Sequence, residues 1–199
     1  MQYAGFWSRL GAGFVDFLVF APLIALLIWI SSISRALAVA FTVPSALLHA
    51  SYNIYFHGRW GQNIGKMVAG IRVVSVAGDR ISWKQAFLRF SVDAALGVGL
   101  AISELFGLLR ISPPDYATLS WTEQSRRITD VAPGYNFLSY AMDMWIWSEV
   151  IVLLFNRRKR ALHDFIAGTV VIHAVSSIDP ANSRLQRTAL RVAAEPPGR

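Results

Sequence analysis

The chain has 199 residues, 54% hydrophobic and only 16% charged, with a net charge of +7 and no cysteine. Soluble domains carry roughly 25% charged residues, so this composition, with a mean hydropathy of +0.43, excludes an ordinary soluble domain and points to an integral membrane protein. The missing cysteine excludes disulfides, thiolate metal sites and cysteine nucleophiles, and basic residues that flank apolar runs speak against nucleic acid as a partner.

Four stretches are long enough to cross a bilayer, which takes about 20 apolar residues in a helix. The first spans 13–30 and carries one charge, Asp16. It lacks a basic leader and a small-residue cleavage site, so it is expected to be retained. Arg9 lies seven residues before Asp16. Two helical turns bring the pair to one face but leave roughly 10 Å between them along the axis, so each needs a partner elsewhere. The second span, 36–56, contains Pro44 and a polar stripe of Ser45, His49 and Tyr52 or Asn53. His49 reads as a proton relay or as a neutral hydrogen-bonding partner.

After the second span comes "GQNIGKM", Gly61 to Met67. It is one residue short of a phosphate loop, and Met67 stands where a Mg²⁺-binding hydroxyl is required, so Gly65 reads as a turn or close-packing glycine. The stretch 70–84, "GIRVVSVAGDRISW" with its flanking residue, alternates around an "AGD" turn and predicts a β-hairpin. The third span, 86–109, carries Arg89 and Asp93 four residues apart, a spacing that predicts an ion pair on one face. Gly97, Leu100 and Glu104 continue that stripe, which must face the bundle interior or water. The fourth span, 137–155, carries Asp143 and Glu149 on different faces. Arg157, Arg158, Lys159 and Arg160 follow at once and suit lipid headgroups. "AGTVVIHA" reads as a second short strand on the same side, where the two segments have the option of pairing in a small sheet, and the polar tail 176–199 is expected to be disordered or to form a basic surface helix.

The fold expected is an all-α membrane protein of four transmembrane helices with a small cytoplasmic β-hairpin or sheet cap, within a membrane domain of residues 1–175. Lys and Arg concentrate at the N-terminus, at 58–85 and after 156, which places both termini in the cytoplasm. Five acids in the spans against one clear cation imply a polar cavity. The candidate ion or proton site is Asp16, Asp93, Glu104, Asp143, His49 and Arg89. No metal-ligand spacing and no nucleophile–base motif occurs, so neither a metal, a cofactor nor an enzymatic activity is expected.

The blocks "FWSRLGAGFVD", "GQNIGKMVAGIRVVSVAGDRISWKQAFLR" and "NRRKRALHDFIAGTVVI", in this order, resemble the RDD family of bacterial membrane proteins. The resemblance places the signature arginine on Arg9 and the two signature aspartates on Asp16 and Asp164. It departs in lacking a basic residue after Lys66 and after Asp164, and in a longer 110–136 segment. The resemblance implies residence in the bacterial inner membrane and, at most, transport, including sodium–proton exchange. Two readings follow. One is a transporter or cation/proton exchanger, acting as a homo-oligomer because four spans are few for a repeat-built carrier. The other is a non-transporting scaffold that binds anionic lipid or a soluble protein.

Overall fold

The computed structural model describes residues 2–174, so the tail 176–199 lies outside the described residues. In chain order the elements are α1 (Phe6–Ile33), α2 (Arg35–Trp60), α3 (Ile64–Val68), β1 (Ile71–Ser75), α4 (Trp83–Arg110), α5 (Pro113–Thr118), α6 (Trp121–Val131), α7 (Tyr135–Phe155), α8 (Leu162–Ile166) and β2 (Thr169–His173). The helices α1, α2, α4 and α7 are long and apolar enough to cross a membrane. At 1.5 Å per residue the 28-residue α1 and α4 reach about 42 Å, more than the roughly 30 Å hydrocarbon core. They therefore overrun the apolar windows 13–30 and 86–109 and carry Arg9 and Lys84 toward the headgroups. Trp7, Phe137 and Phe155 are 78%, 75% and 86% exposed, as lipid-facing side chains must be.

Local chemistry explains the helix ends. A single extended residue, Ser34, links α1 to α2, and its hydroxyl accepts the Leu37 N–H. The α2 helix ends on Gly61 at φ +69°, where a Cβ would meet the Val73 carbonyl at 2.7 Å. A reciprocal Ser82–Gln85 capping box starts α4, and Ser120–Glu123 does the same for α6. The 110–136 segment folds as α5 and α6 across the bundle end opposite the sheet.

At the basic end β1 and β2 form an antiparallel two-stranded sheet, with Ile71 opposite His173 and Ser75 opposite Thr169. Tyr3 bridges to Ile172, and the Ala4 N–H donates to the Val171 carbonyl at 2.9 Å, so the N-terminus adds to the β2 edge. The expected sheet cap is present, but it is not a hairpin within 70–84. That segment contributes one bridge, Val74 to Arg80. Its return arm, with Asp79, Arg80 and Ser82, offers only Ile81 to the core, whereas Val170, Val171 and Ile172 of β2 bury fully beside Val73 and Val74.

Apolar burial gathers at the two ends. One core joins Ala4, Ala12, Ile71, Val73, Ala86 and Val171, and the other joins Ala38, Leu108, Ile111, Tyr116 and Ile128. Between them α2 packs along α4, α1 packs on α2 and α3, and α7 leans on α4. The short α3 seats so closely on α1 that a Cβ on Gly65 would lie 1.9 Å from the Ala12 carbonyl and 2.8 Å from the Asp16 carboxyl. Gly65→Ala is expected to lift α3 and cost about 1–3 kcal/mol, as overpacking does. Gly11→Ala, with nothing within 4 Å of its Cβ, serves as the control. Thermal unfolding in detergent measures both, and a wild-type melting temperature for Gly65→Ala would contradict the close seat.

Candidate functional site

The site begins with a buried carboxylate. Asp164, on α8, is fully buried and is shared by two arginines from different spans. Arg9 Nη1 of α1 donates to its Oδ2 at 2.7 Å, and Arg89 Nη1 of α4 donates to its Oδ1. The Ala161 N–H and the Thr169 hydroxyl complete the set at 3.0 and 3.2 Å. Burial by itself would raise the Asp164 pKa; Arg89, then His163 and Arg9, outweigh it and hold the carboxyl well below the usual range. Arg9 also donates to the Lys159 carbonyl, so the start of α1 is tied to the segment that follows α7.

Arg89 reaches further, to the Thr169 hydroxyl at 2.9 Å and to His163 Nε2 at 2.8 Å. Since Nε2 accepts from arginine, the His163 proton sits on Nδ1 and is donated to Glu149. Burial and then Arg89 lower the His163 pKa, in keeping with a neutral ring. The expected Arg89–Asp93 pair does not form: Arg89 is committed to α8, and Asp93 faces Glu149 and Trp145 instead.

Asp16 performs a different task. Its Oδ1 accepts the Gly65 N–H at 2.8 Å and the Tyr52 hydroxyl at 3.1 Å, and that hydroxyl accepts the Ile64 N–H at 3.0 Å. The aspartate thereby caps the first turn of α3, while its Oδ2 has no hydrogen-bond partner among the described residues and the residue borders a cavity. Lys66, the next residue of α3, donates its ammonium to Asn63 Oδ1 at 3.2 Å. Burial, then Arg89, push its pKa down to about 7.

Three cavities run in series between the two apolar ends. The one at the basic end, about 260 Å³, is lined by Arg9, Lys66, Arg89, Asp93, Glu149 and His163. The middle one, about 530 Å³, lies between α1, α2 and α4 and holds His49. The outer one, about 240 Å³, lies under α5 and α6. The first two share Gly13, Asp16, Asn53 and Asn63, and the last two share Leu27, Thr42, Ser45 and Glu104. One acid thus stands at each junction. Glu104 has no hydrogen-bond or ion-pair partner among the described residues. His49 accepts from Asn53 Nδ2 at 3.2 Å and stands edge-on to Phe20 and Phe90.

Of the residues singled out from the sequence, Asp16, His49, Arg89, Asp93 and Glu104 line this series. Asp143 does not: it is exposed on the outer face of α7 with Tyr140, Met144 and Trp147, and Glu149 is the α7 acid that turns inward. In the basic run Arg157 and Arg158 are exposed, whereas Arg160 donates to the Thr169 and Asp164 carbonyls and lies 4.0 Å over the Phe165 ring. Lys66, His57 and His163 belong to the site without having been singled out. His57 donates from Nδ1 to the Asn53 carbonyl at 2.7 Å, while its buried Nε2 has no partner. The signal for His57 was its place eight residues after His49, two turns along one face.

The model of the RDD family matches residues 3–168. The chain is similar to the uncharacterized protein YckC of Bacillus subtilis (strain 168), 28% identical over 181 residues that span 90% of this chain and 91% of that protein. It is also similar to the uncharacterized membrane protein YteJ of the same organism, 26% identical over 180 residues, 86% and 81% of the two chains. No solved structure matches.

Removing the shared carboxylate tests the clamp. Asp164→Asn leaves two buried guanidiniums without a counter-charge, for which about 3–5 kcal/mol of destabilisation is expected. Because the native pKa is depressed, the wild-type advantage is complete above about pH 4, where an unfolded carboxyl ionises, and shrinks only as the pH falls further. Melting curves of both proteins between pH 4 and 8 should therefore run parallel and well apart; overlapping curves would contradict the clamp.

Proposed function

We propose a cation-translocating role for this chain, which belongs to the RDD family of membrane proteins. The observation that carries the reading is the series of three adjoining cavities, with Asp16 at one junction and Glu104 at the other. An ionised carboxylate inside a membrane domain costs several kcal/mol unless it is paired or wet. Among the described residues Asp16 keeps one oxygen free and Glu104 keeps both, so the two acids suit a small cation or proton that moves from one cavity to the next. His49 lies between them in the middle cavity, and Lys66, near half protonation at neutral pH, borders the basic end. Arg9 and Arg89 are consumed by Asp164 and serve as structure, not as cargo ligands.

In this reading the chain resides in the bacterial plasma membrane with both termini in the cytoplasm, because Arg157, Arg158 and the sheet share the basic end. It carries out no covalent chemistry, and four spans call for a homo-oligomer. Exposed Arg157 and Arg158 also favour a second reading, a scaffold whose basic end holds anionic lipid.

Purified protein in liposomes with a trapped pH dye, challenged with sodium, potassium or lithium gradients, separates the two. The expected result is a dye response to at least one cation that falls at least about tenfold in Glu104→Gln, the scale of losing one charge-assisted contact. That variant breaks no hydrogen bond and should melt like wild type. A wild type that moves no cation would leave the scaffold reading, and an unimpaired Glu104→Gln would remove Glu104 from the path.

A further inference from the structure

The outer cavity differs in character from the other two. Glu104 is the one charged residue in its lining. None of the four arginines at this end forms an ion pair with it: Arg35 Nε donates to the Leu108 carbonyl at 2.8 Å, Arg110 Nη1 donates to the Val131 carbonyl at 2.6 Å, and Arg126 and Arg127 are exposed on α6. Across the cavity stands Gln124, 3% exposed, which carries a second unmet acceptor. Its amide nitrogen donates to the Tyr116 and Leu119 carbonyls at 3.0 and 3.2 Å, with the Ser32 carbonyl at 3.5 Å. Turning the amide over would aim its oxygen at three carbonyl oxygens, so the orientation is settled, and Oε1, sealed from the cavity, has no donor among the described residues.

The remaining walls are aromatic. Phe41, Tyr116 and Trp121 line the same space. Tyr116 is buried and held by its hydroxyl on the Ser31 carbonyl at 2.6 Å, whereas Trp121 is 49% exposed, so the cavity reaches the surface beside α6. A carboxylate with no partner among the described residues and three aromatic side chains in one lining share one complement: a positive charge that bears N–H donors and carbon. A bare alkali ion would meet the carboxylate but leave the apolar part of the space unfilled, whereas an organic cation also packs its carbon against the aromatic walls. At about 240 Å³ the space is smaller than the 300–1,000 Å³ typical of drug-sized ligands, so the ligand is small.

We propose that the outer cavity is a binding site for a small organic ammonium ion, with its N–H groups on Glu104 and its carbon skeleton against Phe41, Tyr116 and Trp121. The inference shares with the proposed function the requirement for a cation, but it concerns binding and needs no flux. It makes the outer mouth of the cavity series selective for protonated amines.

Isothermal titration of the full chain in detergent tests it, with butylammonium, tetramethylammonium and sodium chloride as probes. Butylammonium is expected to bind saturably, one per chain. Tetramethylammonium, with no N–H for Glu104, should bind at least about tenfold more weakly, and sodium should not compete. Glu104→Gln and Trp121→Ala should each weaken butylammonium at least about tenfold; the exposed Trp121 keeps the test valid if Glu104→Gln unfolds. Absence of saturable butylammonium binding, binding unchanged in both variants, or equal competition by sodium would each overturn the proposal. Amine binding without liposome flux would leave the site standing and remove the transport reading. Flux without amine binding would do the reverse.

Discussion

Asp164 is the contact on which the basic end of the molecule depends. One buried carboxylate binds guanidiniums from α1 and α4, including an arginine 155 residues away in sequence. It also caps its own short helix and accepts from the first residue of β2. The order of the basic end follows from these bonds. With α8 fixed, β2 lies where β1 can pair with it, and the sheet in turn holds the N-terminal residues that lead into α1. The pair Arg9–Asp164 thus gives one structural meaning to two of the three residues that the resemblance placed on the family signature. The third, Asp16, anchors the turn that carries Lys66.

Closing both ends leaves the middle open. Apolar packing is concentrated under the sheet and under α5–α6, while in the middle, where α2 packs along α4, α1 borders the central cavity. A bundle stabilised for its own sake would fill that space, since a void forfeits contact on every side chain around it. Among the described residues Glu104 has no hydrogen-bond or ion-pair partner, and Asp16 accepts on one oxygen only. Free carboxylate oxygens at the junctions of a series of cavities suit a cation.

The spans, the sheet at the basic end and the polar interior were legible in the residues, because length and hydropathy report what lipid requires and charges in a span report what it excludes. Partner choice was less legible. Arg89 and Asp93 have ideal helical spacing, yet a buried carboxylate on a distant helix outcompetes a neighbour that stands beside another acid. Asp143 and Glu149 look alike in sequence, and only the placement of α8 decides which of them turns inward. Lys66 reads as one more basic loop residue until α3 is seen to seat against α1, which the absence of a side chain on Gly65 permits. The α5–α6 cap was hidden for a similar reason: its anchors, Tyr116 and Gln124, bond to carbonyls at the α1–α2 turn, which no periodicity announces.

The central claim is that the cavity series is reached by water across the membrane domain. The chain contains no cysteine, so single cysteines can be placed at Thr42, Ser45 and Ala101, which line the cavities, and at Leu18 and Leu26, which are exposed on α1 and line none of them. Thiols react as hydrated thiolates. A charged, membrane-impermeant thiosulfonate applied to the protein in vesicles should modify the three cavity positions rapidly and the two α1 controls hardly at all. Equal protection of all five positions would contradict the account.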